Sequence, residues 1–207
     1  EKGLILATES IGGLVQRAEI PKEKTQAVVC LILAHEMVHA LQDQEANFAD
    51  QLTHFRDLDA FDAARGVQEG QATFVEHKVS IALGTEDIFW TLNEKAQGWG
   101  KDGLIHAEAF GTFALYGQGM KFFEFRTAQN TSYDFWEPIK RPPATTAMLF
   151  RPETYAPDYP LNDQYIEVLK GIEQKLTKGE WAVINSHLGE YALRMDTAGL
   201  DFHKVGE

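Results

Sequence analysis

The residues with the clearest chemical meaning are His35-Glu36-Met37-Val38-His39. Two histidines four positions apart share one face of a helix, one turn from each other, so both imidazoles can reach one metal ion. Glu36 lies about 100° round the same helix, close enough to reach a water on that metal without binding it. This is the HExxH arrangement of zinc-dependent hydrolysis. Zinc brings the pKa of its water to about 7, and the glutamate takes the proton. The competing reading is chance spacing among the chain's seven histidines. Against it, the motif interrupts a strongly apolar helix, where polar and charged groups cost free energy unless they are used.

A catalytic zinc takes three protein ligands and keeps the fourth position open. The metzincin spacing would need Gly at position 42 and His at position 45, where this chain has Gln42 and Glu45. Glu69, in Val67-Gln68-Glu69-Gly70-Gln71-Ala72-Thr73, is the better candidate. It falls on a second predicted helix, flanked by Gly66, Gly70 and Ala72, whose small side chains let two helices approach. Thr73, one turn on, is a candidate to orient a ligand. Asp62 and Glu76 are the rival ligands, and Glu69 read alone is a solvated carboxylate. Asp43 reads either as a partner of a ligand or as ordinary helix-end chemistry.

Leu33-Ala34-His35-Glu36-Met37-Val38-His39-Ala40-Leu41-Gln42-Asp43-Gln44 resembles a family of bacterial zinc metallopeptidases of gluzincin type, whose members carry HExxHALQDQ and then EGxA. Glu69-Gly70-Gln71-Ala72 matches the second motif. Tyr116-Gly117-Gln118-Gly119-Met120-Lys121-Phe122 is similar to the family's Gly-centred aromatic helix. The segment from Pro142 to Tyr155 is similar to its PPxSTEQxLHPExY stretch, and Leu188-Gly189-Glu190-Tyr191 to a later LGE helix. The resemblance implies a zincin-like domain, a Zn2+ cofactor and hydrolysis of a peptide or protein substrate.

Two departures stand out. Ala147 occupies the place of the family's STEQ glutamate, and Arg151 that of its LHP histidine. They motivate a rival reading, a zinc-binding relative without turnover that serves as a binding or scaffold protein. The intact Glu36 favours the enzyme. A helical binding module with no metal is the second rival. Hydrolysis also needs a donor for the oxyanion, and Arg151 and Tyr155 are the candidates from the proline-rich segment.

These residues need helices to position them. Nothing breaks a helix over 22–44, and its middle, 27–33, is apolar nearly all round, so a buried HExxH helix is expected. Pro21 suits a first helical turn. Helical periodicity resumes over 58–83, with Gly84 as its stop. Further helices are expected over 86–97, 104–129, 162–177 and 181–195, with a glycine-punctuated loop at 98–103. The segment 3–15 reads as an extended strand turning at Gly12-Gly13, a candidate edge strand along the cleft. Six of the seven prolines fall in 130–160, which reads as mainly irregular. The expected fold is mainly α with few strands: one zincin-like domain over 1–207, in which 130–207 could form a helical subdomain.

Composition narrows the partners. The formal charge of −12 repels phosphate backbones and argues against nucleic acid. The longest apolar run, 27–34, is shorter than the roughly 20 residues of a membrane span. A single cysteine, Cys30, excludes an internal disulfide and reads as a core residue. The chain opens on Glu1-Lys2-Gly3 without an initiator Met or an apolar leader, which leaves open a processed protein, exported if a signal peptide was removed, or a fragment. Oligomeric state leaves no trace in the sequence.

Overall fold

The computed structural model describes residues 8–52, 58–101 and 107–157. The fold is mainly α, and no strand occurs among the described residues. Helix α1 spans Thr8–Arg17, α2 Thr25–Ala46, α3 Phe48–Leu52, α4 Leu58–Leu83, α5 Glu86–Lys101 and α6 Ala107–Gln129. Two single-turn helices follow, α7 (Glu137–Lys140) and α8 (Ala147–Phe150), and a 3-10 turn over Pro152–Thr154. The helices expected over 162–177 and 181–195 lie outside the described residues.

Helix α4 is the axis of the molecule. Ala60, Ala63, Ala64, Gly66, Val67, Gly70, Ala72 and Phe74 are all buried along it. It packs chiefly against α6 and α2, and more lightly against α5. Its contacts with α6 climb in step, Gly70 with Gly119, Phe74 with Phe123 and His77 with Glu124, so these two helices run parallel. A Cβ built on Gly119 would overlap the carbonyl oxygen of Gly66, and one on Gly70 would overlap the Gly119 backbone. The two backbones therefore touch, as only glycine permits. Helix α4 ends where the sequence indicates: Gly84 adopts φ +66°, the left-handed stop that glycine reaches without strain.

Three expectations need correction. Where the structure describes the expected N-terminal strand, from Thr8 on, it is instead α1, and Gly12 and Gly13 lie inside it. Ile11, Val15 and Ala18 recur at helical spacing and are buried. Burying that face outweighs the roughly 1 kcal/mol that each glycine costs a helix. Residues 1–7 lie outside the described set. Helix α5 continues to Lys101 and absorbs the start of the loop expected at 98–103.

The HExxH helix is only partly buried. Val28, Leu31, Val38 and Gln42 are enclosed, while Met37 and Leu41 are exposed and Cys30 is half-buried. Helix α2 lies at the side of the bundle, so its neighbours cover one face of it. Pro21 precedes a 3-10 turn (Lys22–Lys24) that leads directly into α2.

Candidate metal centre

The imidazoles of His35 and His39 leave α2 on the face that meets α4, their ring centroids 4.8 Å apart. Along the contact, His35 meets Glu76 and Glu69, His39 meets Glu69, and Gln42 meets Gln68 and Gln71. The numbers rise on one helix as they fall on the other, so α2 and α4 are antiparallel. That register sets Glu69 opposite both histidines.

One carboxylate oxygen receives both rings. Glu69 Oε2 lies 3.3 Å from His35 Nε2 and 3.3 Å from His39 Nε2. One ligand atom from each of the three side chains lies within 4.8 Å of the others. Ligands bonded at roughly 2.1 Å in a tetrahedron sit about 3.4 Å apart, so the donor set and the two histidine–Glu69 distances are compatible with a bound metal ion. His35, His39 and Glu69 keep 15, 21 and 12 % of their side-chain surface exposed, which leaves the site open to water and small groups.

Charge is concentrated here. Burial by itself would depress His35, but hydrogen bonds and charge from Glu69 and Glu76 outweigh it and push its pKa up to about 9. Burial by itself would raise Glu69, but the hydrogen bonds and charges of His35 and His39 pull it down to about 2. The protonated His35 ring thus supplies, beside Glu69, positive charge of the kind a metal would bring. Arg65, one turn before Glu69, lies 4.0 Å from its other oxygen.

Of the rival carboxylates, Glu76 accepts a hydrogen bond from His35 Nδ1 at 3.1 Å. It holds the ring from behind, the usual role of a carboxylate behind a metal-binding histidine. Asp62 lies instead in the charge field of Asp59 and Arg65. The Thr73 hydroxyl donates to the Glu69 backbone carbonyl at 2.9 Å, so it braces the helix and not the carboxylate.

Glu36 is exposed beside the triad, close enough for its charge to act on the Tyr116 hydroxyl. Tyr116 comes from α6, its ring 6.2 Å from that of His35. Burial raises its pKa above the usual tyrosine value, and the charge of Glu69 and a hydrogen bond to it add to the rise. Sequence reasoning passed over Tyr116 because its place depends on the Gly70–Gly119 crossing, which brings α6 onto α4 one turn further on.

Of the two donors expected from the proline-rich segment, Tyr155 has other partners. The Tyr155 hydroxyl donates to the Arg141 carbonyl at 2.8 Å, and its ring packs on Phe122 beneath the Arg126 guanidinium. Arg151 is exposed just past α8. No family model matches this chain, and neither does any curated protein or solved structure. Among the described residues, no helix is long and apolar enough to cross a membrane.

Proposed function

We propose that this chain is a zinc-dependent peptidase with a zincin-like metal core made of two antiparallel helices. The observation that carries the reading is the convergence of His35 Nε2 and His39 Nε2 on one oxygen of Glu69, each at 3.3 Å. His35, His39 and Glu69 would hold the metal. When bound, zinc there acidifies a water and polarises a substrate carbonyl.

The chain's own groups do the rest. Glu36, exposed one residue after His35, accepts the proton of the attacking water and passes it to the leaving amine. Tyr116 is protonated at ordinary pH, as any tyrosine is, and burial together with Glu69 raises its pKa further. Its hydroxyl is an O–H donor for charge developing on the substrate oxygen. Tyr116 takes that role in place of Tyr155 because it stands beside the triad, its ring 6.2 Å from that of His35. Substitution of Glu36 by Gln tests the assignment. The amide cannot take a proton, so the variant should keep zinc and lose cleavage across a broad peptide library. Cleavage at the wild-type rate would remove Glu36 from the role. A wild-type protein that holds zinc and cleaves nothing would favour a binding protein over an enzyme.

A further inference from the structure

The two histidines are held from behind by different chemistry. His35 Nδ1 faces a carboxylate, Glu76. His39 Nδ1 faces an amide, the Gln42 side chain, at 2.9 Å. A carboxylate can only accept, but an amide can offer either its oxygen or its NH2. If Gln42 offered NH2, Nδ1 would have to accept. The neutral ring would then carry its proton on Nε2, the atom turned toward Glu69, and could not bind a metal there.

The direction is fixed further back. Gln42 Nε2 donates to the Gln68 carbonyl at 2.9 Å and to Gln71 Oε1 at 2.9 Å. Gln71 Nε2 donates in turn to the Phe135 carbonyl at 2.7 Å. Backbone carbonyls only accept. The Phe135 carbonyl therefore turns Gln71 so that its oxygen faces Gln42, and the Gln68 carbonyl turns Gln42 the same way. Gln42 is fully enclosed and Gln71 is 2 % exposed, so bulk water offers no other partner. The Phe135 end is anchored as well: its ring stacks on Phe123 at 5.9 Å and packs on Phe74 at 5.6 Å.

We infer that Gln71 is a positioning residue of the metal centre. It acts through Gln42 in a one-way amide relay, anchored on the Phe135 carbonyl, that keeps the His39 proton on Nδ1 and leaves Nε2 free as a ligand. The inference rests on the metal reading above.

Zinc affinity, measured by competition with a chelator, and the absorption spectrum of the Co2+-substituted protein test it. Loss of a group behind a metal-binding histidine typically weakens metal binding about 10–100-fold. Gln42→Leu should fall in that range and Gln71→Leu near its lower end, with a changed Co2+ spectrum. Added to Gln42→Leu, Gln71→Leu should cost nothing more, because its route to the metal is already cut. Gln71→Met, similar in length, replaces Gln71→Leu if the latter does not fold, with the same expectations. Wild-type affinity in the Gln71 variants, or losses that add in the double variant, would overturn the relay and leave the metal reading standing. Wild-type protein that takes up no zinc would overturn both.

Discussion

His35 Nδ1 and Glu76 Oε2 lie 3.1 Å apart, and Glu76 stands two turns beyond Glu69 on the same helix. One helix therefore supplies both the carboxylate that would share a metal with His35 and the carboxylate that would aim the His35 ring at it. Any shift of α4 along α2 disturbs both. Glu76→Leu should weaken zinc binding about 10–100-fold, and Glu76→Gln, which keeps an acceptor for the ring, should weaken it less. Chelator competition on the two variants checks the order. Equal, wild-type affinities would make Glu76 a bystander.

The pH dependence follows from two opposite shifts. Folding raises His35 from 6.5 to about 9. A raised pKa stabilises the metal-free protein fully below pH 6.5, and that contribution is lost as pH climbs through about 9. Glu69 is lowered from 4.5 to about 2, so its contribution is present above pH 4.5 and lost as pH falls through about 2. Thermal unfolding of the metal-free protein should therefore soften at both ends. Zinc and the proton compete for His35, so apparent zinc affinity should rise with pH up to about 9. Calorimetry in buffers of different ionisation enthalpy should detect proton release on zinc binding at pH 7. Binding with no proton release would contradict the shift at His35.

The α4–α6 crossing carries a sharper structural prediction. Gly119→Ala sets a methyl group into the Gly66 carbonyl, and backbone cannot move aside as a side chain can. Overpacking of that kind costs typically 1–3 kcal/mol, and this site belongs at the upper end. Gly117→Ala, on the same helix with open space around its Cβ, should be neutral or stabilising by up to about 1 kcal/mol. Denaturant midpoints compare the two. A Gly119→Ala midpoint matching wild type would mean that the helices do not cross there.

Much of the site was legible because helical spacing is local information. The His35–His39 pair needs only the 3.6-residue turn, and the bounds of α4 follow from its periodicity and from Gly84, which the structure finds at φ +66°. What escaped depends on contacts between distant segments. Gly12 and Gly13 look like a turn until Ile11, Val15 and Ala18 are seen packing as one face. Tyr116 is one aromatic among many until Gly119 sets α6 against α4. Gln42 and Gln71 carry no metal signature, because an amide acquires its role from the groups that fix which end it presents.

Zinc titration of the metal-free chain, alongside Glu69→Ala and Asp62→Ala, tests the central claim most directly. The account predicts about one tightly held zinc per chain, kept by Asp62→Ala and lost or much weakened in Glu69→Ala. A wild-type chain that takes up no zinc, or a Glu69→Ala variant that binds it as tightly as wild type, would contradict it.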